Sequence, residues 1–304
     1  MEQPIIEKIR RLKKQRNAVI LAHNYQLPEV QEIADYVGDS LGLSRKAAAT
    51  DASVIVFCGV YFMAETACIL SPNKTVLIPD KEAGCPMVNM APLERVLGLK
   101  KRYRDAVVVS YVNSSAAVKA ESDYCCTSAN AIDVVESIAG EEPIIFVPDK
   151  YLGAYTASRT GKKLILYDGY CPSHVKILEQ DILRLKTEHP HAEVMVHPEC
   201  TPDVITLADG VLSTSGMCRR ARESPNEEII VGTEIGLIYR LQKENPQKRF
   251  YAASQAAVCP NMKRTDLEKI LWSLEDMKYE VRVPERIRQR ARKAVDRMVE
   301  LVST

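Results

Sequence analysis

The sequence lacks any long apolar run. The longest, residues 54–64, falls well short of the ~18 residues expected of a membrane-spanning helix and is interrupted by Gly59. The N-terminal segment is charged and lacks the apolar core of a signal peptide. We therefore expect no membrane association and a cytoplasmic location. In that compartment the nine cysteines are not expected to form a disulfide framework, which leaves metal ligation, redox chemistry and core packing.

An excess of charge of either sign is also missing. Lys and Arg total 41 and Asp and Glu total 40, so the formal net charge is +1. This balance gives no basis for bulk electrostatic binding to nucleic acid, and we expect no nucleic-acid partner. The basic run at residues 8–16 is more typical of the solvated face of an opening helix. An apolar fraction of 46 % is enough for a sizeable core.

What the chain does contain is a repeated alternation of short apolar runs with helical patterns. Three of these runs end in polar residues, and they lie at residues 19–22 before His23, 106–110 before Tyr111 and 193–196 before His197. Strands alternating with helices predict an α/β fold with mostly parallel sheets. Between them the pattern predicts, among others, a helix over about 29–37 and a strand that runs into a polar loop over 210–216.

Three Cys-Pro steps close the three passes of this pattern. They are Cys85-Pro86, Cys171-Pro172 and Cys259-Pro260, and their separations are similar, 171 − 85 = 86 and 259 − 171 = 88. Proline fixes its own φ and pushes the preceding residue towards extended geometry, so each cysteine is held in a turn. The pattern predicts three similar small three-layer α/β domains, over 1–96, 97–184 and 185–304 with C-terminal helices, in pseudo-threefold arrangement. Because ligands bind at the carboxyl ends of parallel strands, one central site is expected where the three meet.

Three cysteines in such loops are one ligand short of a fully ligated cubane iron–sulfur cluster. An iron with an open position is a Lewis acid that can bind a substrate oxygen. Zinc held by three thiolates is the rival interpretation, although structural zinc sites usually use C-x₂₋₄-C pairs, which this chain lacks. Simple core packing remains the alternative for any one cysteine, and we assign it to the other six. These are Cys58, Cys68, Cys125, Cys126, Cys200 and Cys218.

The order of short motifs resembles the quinolinate synthase family, the A-type iron–sulfur enzyme of de novo NAD biosynthesis. The motifs that carry the resemblance span nearly the whole chain. They are Ala22-His23-Asn24-Tyr25-Gln26, Val37-Gly38-Asp39-Ser40, Phe62-Met63-Ala64-Glu65, Cys85-Pro86-Met87, Tyr111-Val112-Asn113-Ser114, Cys126-Thr127-Ser128-Ala129-Asn130, Gly169-Tyr170-Cys171-Pro172, His197-Pro198-Glu199-Cys200, Ser213-Thr214-Ser215-Gly216, Gly232-Thr233-Glu234 and Cys259-Pro260-Asn261-Met262. A C-x-x-C arrangement at the last motif, found in some family members, is replaced here by Cys-Pro-Asn-Met.

The resemblance implies a transferase that condenses iminosuccinate (iminoaspartate) with dihydroxyacetone phosphate to quinolinate, with loss of phosphate and two waters. It implies a [4Fe–4S] cluster held by Cys85, Cys171 and Cys259, whose open iron acts as a Lewis acid. Substrate contacts are implied for His23, Ser40, Tyr111, Asn113, Ser128, His197, Glu199 and Thr214, and acid–base catalysis for Tyr25, Glu199, His23 and His197. The sequence leaves open whether a functional partner supplies iminoaspartate.

The residue types agree with that chemistry. A phosphate and a dicarboxylate require many neutral donors, and hydroxyls near helix N-termini provide them. Histidine, tyrosine and glutamate are suitable for the proton transfers that accompany loss of water. Two other classes stay open at this stage: a non-catalytic cluster carrier, which needs exposed cysteines but not the polar set, and a hydro-lyase that need not bind phosphate.

Overall fold

The computed structural model describes residues 2–301, in which helices and parallel strands alternate. The strands are β1 (Ala18–His23), β2 (Tyr36–Gly38), β3 (Val54–Cys58), β4 (Thr75–Leu77), β5 (Val107–Tyr111), β6 (Tyr124–Cys126), β7 (Ile144–Val147), β8 (Leu164–Leu166), β9 (Glu193–Val196), β10 (Gly210–Val211), β11 (Glu228–Gly232) and β12 (Arg249–Ala252). The α-helices are α1 (Glu2–Gln15), α2 (Pro28–Ile33), α3 (Ser40–Ala49), α4 (Tyr61–Leu70), α5 (Pro86–Met90), α6 (Leu93–Arg102), α7 (Ala116–Lys119), α8 (Ala131–Glu136), α9 (Lys150–Thr160), α10 (Glu179–Glu188), α11 (Pro202–Thr206), α12 (Thr214–Glu223), α13 (Gly236–Glu244), α14 (Leu267–Asp276) and α15 (Glu285–Glu300). Within these described residues, none of the helices combines the length and apolar character needed to cross a membrane.

Three four-stranded sheets share one strand order. The orders are β2-β1-β3-β4 in the first sheet, β6-β5-β7-β8 in the second and β10-β9-β11-β12 in the third. All strand pairs are parallel. The predicted α/β class is thereby confirmed, and three sheets of one topology are consistent with the pseudo-threefold arrangement. The domain boundaries after residues 96 and 184 stay a prediction.

The inner strands form the core because both of their faces are covered. β3 and β7 are buried along their whole length, and their sequences, Val-Ile-Val-Phe-Cys and Ile-Ile-Phe-Val, are almost continuously apolar. Parallel strands with helices on both sides show this pattern instead of alternation. Each fully buried aliphatic or phenylalanine side chain contributes about 1.5–3 kcal/mol of transfer free energy.

In each sheet, one aspartate just before the second strand hydrogen-bonds the backbone of the first strand and so holds the two strands side by side. Asp35 accepts the backbone N–H of Ile20 at 2.8 Å and donates its own N–H to the same residue's carbonyl at 2.9 Å. Asp123 with Val108 and Asp209 with Val194 repeat both bonds at the same distances. The separations are 123 − 35 = 88 and 209 − 123 = 86, close to the spacing of the Cys-Pro steps. The internal repeat is therefore visible in individual hydrogen bonds.

The last helix connects the first two sheets. In α15, the carbonyl of Val299 accepts a bond of 3.0 Å from Arg45 of α3, and the carbonyl of Met298 accepts one of 2.9 Å from Asn130. Arg292 donates in turn to the carbonyl of Leu70 at the end of α4, at 2.8 Å. These bonds satisfy carbonyls at helix ends, which otherwise have no partner within their helix.

Two local predictions were wrong. The helix expected over 29–37 ends at Ile33, and Tyr36–Gly38 forms the short strand β2. In the segment expected to be a strand and a polar loop, 210–216, the strand β10 has two residues, and Thr214 begins a ten-residue helix, α12. Ser213 caps this helix by accepting the N–H of Gly216 at 3.2 Å. In both places the segment is too short for its periodicity to show which structure it adopts.

Candidate active site

Four sets of three related residues line a single cavity at the carboxyl ends of the three sheets. The first set lies at the end of the first strand of each sheet, and the second lies two residues further on. The third lies at or near the start of the helix that follows the second strand, and the fourth consists of the Cys-Pro cysteines. The sets are His23, Tyr111 and His197; Tyr25, Asn113 and Glu199; Ser40, Ser128 and Thr214; and Cys85, Cys171 and Cys259. Every residue that the sequence predicts for the site therefore lies in the wall of this cavity. Their individual roles stay predictions.

A tight turn after the first strand places two of these sets. His23 Nδ1 accepts the N–H of Tyr25 at 3.2 Å, and His197 Nδ1 accepts the N–H of Glu199 at 3.3 Å. Because Nδ1 is an acceptor in both, the neutral ring carries its proton on Nε2. His197 Nε2 lies 3.1 Å from the Oγ atom of Ser128, to which it can donate.

The hydroxyl set lies at or near helix starts. Ser40 and Thr214 are the first residues of α3 and α12, whose N-caps are Asp39 and Ser213. Thr214 Oγ1 accepts a bond of 2.8 Å from the buried side chain of Asn24, so its own proton is free to point elsewhere. The N-termini of these helices and the hydroxyls together suit phosphate or carboxylate oxygens.

Each Cys-Pro step begins a short helical turn. Cys85 is the N-cap of α5, and 3₁₀ turns over His174–Lys176 and Met262–Arg264 follow the other two cysteines. The backbone N–H groups two and three residues after each cysteine lower the pKa of its thiol. Amide groups directed at a sulfur are a common feature of iron–sulfur ligation.

Burial raises the pKa of all three of these thiols, and it raises that of Cys85 to about 12. A bound cationic metal centre reverses this effect, since a coordinating thiol is deprotonated. All three cysteines are free and partly buried. The donor set therefore fits a metal centre that is shared by the three loops.

The spacing of the ligands argues against one zinc ion on the three cysteines. Three thiolates at ~2.3 Å from a tetrahedral ion would lie about 3.8 Å from one another. Across residues 2–301, the only group of three or more candidate ligand atoms within 4.8 Å of one another is Cys171, His174 and Glu199. At least one pair of the three cysteine sulfurs is thus more than 4.8 Å apart, wider than a single tetrahedral zinc ion requires.

A chain of hydrogen bonds joins Glu199 to Tyr25. Glu199 Oε2 lies 2.7 Å from His174 Nδ1, and His174 Nε2 lies 2.9 Å from Thr233 Oγ1. Thr233 Oγ1 in turn lies 2.6 Å from the hydroxyl of Tyr25. All four side chains are buried. Among the described residues Glu199 Oε1 has no hydrogen-bond partner, so this oxygen is available to a substrate.

The environment sets different protonation states for these groups. Burial alone would raise the pKa of Glu199, but His174, followed by His197 and Tyr111, lowers it to about 2. Burial lowers the pKa of His23 and of His197 to about 3, assisted by Lys263 and by His174 respectively. Burial, with Glu199 nearby, raises the pKa of Tyr25 well above its usual value. Near neutral pH the site therefore contains an ionised glutamate, two neutral histidines and a protonated tyrosine.

Sequence reasoning missed His174 and Thr233. The residues equivalent to His174 in the other loops are Val88 and Met262, since 174 − 88 = 86 and 262 − 174 = 88. His174 thus departs from the internal repeat, and a search for repeated residues passes over it. A comparison of the three loops for unmatched polar residues could have found it.

A second buried carboxylate, Asp149, also escaped the sequence reasoning. It caps α9 by accepting the N–H of Leu152 at 2.8 Å, and its Oδ2 has no partner within residues 2–301. Burial and the charge of Glu199 raise the pKa of Asp149 well above its usual value. Two carboxylates whose pKa values are shifted in opposite directions are typical of enzyme sites.

The fold and the cavity together define an α/β enzyme with one buried site that three similar sheets share. The family model of the quinolinate synthetase A protein matches residues 7–300, and the chain belongs to this family. The chain is 59 % identical over 297 residues to a quinolinate synthase of Dehalococcoides mccartyi, covering 98 % of each chain. It is 56 % identical over 295 residues to quinolinate synthase 1 of Methanosarcina acetivorans and 57 % identical over 295 residues to a quinolinate synthase of Geobacter metallireducens, in each case covering 97 % of both chains. The resemblance drawn from the motifs is thereby confirmed.

Proposed function

We propose that the chain catalyses the quinolinate synthase reaction. Iminosuccinate and dihydroxyacetone phosphate condense to quinolinate, with release of phosphate and two waters, which places the enzyme among the transferases. Family membership supports the activity. The observation that carries the mechanism is the convergence of three cysteines and the Glu199–Tyr25 hydrogen-bond chain on one cavity.

A [4Fe–4S] cluster fits the three free thiols and the amide groups directed at them. Cys85, Cys171 and Cys259 would hold it and leave one iron without a protein ligand. When bound, such a cluster supplies a Lewis acid that polarises a substrate oxygen. The protein's own contribution is to place the substrates and the acid–base side chains around the cluster.

Neutral donors bind the two anionic substrates. Thr214 has a free hydroxyl proton, Ser40 lies at the start of α3, and His23 and His197 carry their protons on Nε2. Hydrogen bonds from such groups to phosphate and carboxylate oxygens replace the hydration that the substrates lose on entry. Neutral histidines donate without adding charge to the site.

The hydrogen-bond chain moves protons during the two losses of water. Ionised Glu199 has the free oxygen Oε1 that can accept a proton from a substrate carbon. Protonated Tyr25 can donate to a leaving hydroxyl, and His174 and Thr233 connect the two. A base and an acid at opposite ends of one chain suit repeated proton removal and donation.

Removal of single hydroxyls tests the anion-binding part of this proposal. Ser128→Ala and Thr214→Val are each expected to weaken binding of dihydroxyacetone phosphate about 10- to 150-fold, because a bond to a charged group contributes about 1.5–3 kcal/mol. Anaerobic equilibrium binding measures the effect, with iron content checked in each sample. Ser158→Ala and Thr206→Val are matched controls, because their hydroxyls bond carbonyls on the exposed surface. Unchanged affinity in both site variants would discard the anion-binding role.

Two alternative classes are disfavoured. A cluster carrier needs accessible cysteines, whereas these are partly buried beside a set of buried polar side chains. A hydro-lyase that acts on a carboxylate could use the same hydroxyls, and family membership is what disfavours it. A cytoplasmic location and a partner that supplies iminoaspartate stay predictions of the sequence.

The deciding experiment is an anaerobic purification with iron and sulfide counts and a visible spectrum, followed by an assay of quinolinate formation. We expect four irons and four sulfides per chain, about the content of one cubane cluster, and product from iminosuccinate with dihydroxyacetone phosphate. A binding screen with phosphorylated triose separates this enzyme from the hydro-lyase alternative. Cluster content without product would contradict the proposed reaction.

A further inference from the structure

A buried glutamate, Glu234, holds the backbone of the third cysteine loop. Its Oε1 accepts the N–H of Cys259 at 3.1 Å, and its Oε2 accepts the N–H of Gly236, the first residue of α13, at 2.7 Å. The side chain of Glu234 has no solvent exposure. It therefore fixes the position of the Cys259 loop relative to the end of β11, the third strand of its sheet.

Lys263 connects this glutamate to the first sheet. Its Nζ atom lies 3.0 Å from Glu234 Oε1 and 3.2 Å from Oε2, and it also donates to the backbone carbonyl of Tyr25. One ammonium group thus bonds the carboxylate that holds Cys259 and the peptide unit that carries Tyr25. The two residues come from opposite ends of the chain, 259 − 25 = 234 positions apart.

The arrangement leaves no room for a side chain at Gly236. A Cβ atom there would lie 2.6 Å from Lys263 Nζ, 2.8 Å from Glu234 Oε2 and 2.8 Å from the carbonyl oxygen of Tyr25. The carbonyl of Gly236 also accepts a bond of 3.2 Å from Gln31, whose amide donates to the carbonyl of Gln26 at 2.9 Å. The first and third sheets are therefore packed backbone to backbone at this point.

We propose that Glu234 and Lys263 are positioning residues that set the Cys259 loop and Tyr25 at a fixed relative placement. Neither side chain is assigned to proton transfer. They act through the backbone atoms of a cysteine ligand and of a proton donor. The roles of Tyr25 as proton donor and Cys259 as cluster ligand rest on the proposed function. The contact between the Tyr25 segment and the Cys259 loop is observed independently of that function.

The equivalent places in the three sheets show that a carboxylate recurs in the second sheet, as Asp149, whereas the lysine contact is not part of the repeat. Tyr61, Lys150 and Ile235 each donate a backbone N–H to the residue two before the cysteine of their sheet, Ala83, Gly169 and Ala257, at 2.7, 2.8 and 3.1 Å. The residue just before these donors is Val60 in the first sheet, Asp149 in the second and Glu234 in the third. Of these three, Glu234 has the lysine partner that reaches another sheet. The placement of Tyr25 thus depends on the Cys259 loop in particular.

The test compares Lys263→Met, Glu234→Gln and the double variant with the unaltered protein. After anaerobic reconstitution we expect iron and sulfide to be incorporated, but iron release to a ferrous chelator to be about 10- to 100-fold faster, as for other residues that support metal ligands. We expect kcat to fall about 10- to 100-fold while KM changes by less than about threefold, because a displaced proton donor affects the reaction more than binding. Lys263→Arg is expected to restore most of both properties.

A second ion pair, which also joins the first and third parts of the chain but lies on the surface, provides the matched control. Lys243 of α13 pairs with Glu32 of α2 on the exposed surface, so Lys243→Met removes a lysine contact without touching Cys259 or Tyr25. Iron release and kcat in the three variants equal to those of Lys243→Met would overturn the proposal. The double variant leaves no buried charge unpaired, so its loss of iron could not be explained by an isolated charge. Complete loss of iron in this variant would therefore also overturn the proposal, because it would show that the pair is needed for cluster assembly. If the unaltered protein made no quinolinate, the proposed function would fail, while the rate of iron release would still report on the Cys259 loop.

Discussion

Replacement of Cys85, Cys171 or Cys259 by alanine is expected to abolish the iron–sulfur chromophore. Each of the three loops contributes one thiol, and the loss of one leaves two protein ligands for a cluster that has only three. Among the described residues no other cysteine lines the cavity, so none is placed to replace the lost ligand. Iron and sulfide counts and the visible spectrum measure the loss, and quinolinate formation should disappear with it.

Cysteines elsewhere in the core provide the controls for this prediction. Cys58 and Cys218 are buried in the apolar core and do not line the cavity, so Cys58→Ala and Cys218→Ala should leave cluster content unchanged. Each control substitution removes one buried sulfur and leaves a small cavity, which lowers the stability of the fold but removes no proposed cluster ligand. Full iron and sulfide content in any one of the three cavity variants would show that its cysteine is not a ligand.

Glu199→Gln is expected to lower quinolinate formation by about 10²- to 10⁴-fold, the usual contribution of an acid–base group. The substitution keeps the shape of the side chain and removes the charge, so neither oxygen nor nitrogen can act as a base. It also replaces the carboxylate that bonds His174 at 2.7 Å. Cluster content should persist, since Glu199 is not a ligand in the proposed site. The measurement is anaerobic turnover normalised to iron content.

Glu228→Gln is the matched control, because Glu228 forms a comparable set of bonds outside the cavity. It accepts the hydroxyl of Tyr251 at 2.8 Å and lies 3.6 Å from His189 Nδ1. Turnover of the control should stay within about twofold, as is usual for partly exposed pairs. Near-normal turnover of Glu199→Gln would remove Glu199 from the mechanism, and loss of its cluster would indicate a structural role.

Tyr25→Phe tests the other end of the hydrogen-bond chain. It keeps the ring and removes the hydroxyl that lies 2.6 Å from Thr233, so a loss of similar size is expected if Tyr25 donates protons. Tyr251→Phe removes a comparable hydroxyl from the surface and serves as its control. Equal turnover in the two variants would assign proton donation to another group.

Much of the site could be predicted because the chain repeats itself. The Cys-Pro steps, the polar residues after the first strands and the hydroxyls of Ser128 and Thr214 recur at intervals of 86–88 residues, and each lies where parallel strands end. Strand ends are local features, fixed by apolar runs that stop at polar residues. Their convergence follows from the rule that ligands bind at the carboxyl ends of such strands.

Residues outside the repeat could not be found in the same way. His174 has valine and methionine as its counterparts, so nothing in the repeat marks it as functional. Thr233 and Lys263 acquire their roles from partners more than 200 positions away, as in the bond of Thr233 to Tyr25. Such pairings depend on how the sheets pack against one another.

By itself, the sequence determined the α/β class and the three passes, because strands, helix starts and proline turns are specified within a few neighbouring residues. Through its resemblance to the quinolinate synthase family it also indicated twelve of the residues that line the cavity. Only the tertiary structure decided which of these residues touch. It joined Glu199 to Tyr25 through His174 and Thr233, and it brought Lys263 to the carbonyl of Tyr25. It also set the protonation of the site, since burial and neighbouring charges shift the pKa values of Glu199, His23 and His197. Distances and burial across three sheets are properties of the packed molecule, and no local pattern in the chain contains them.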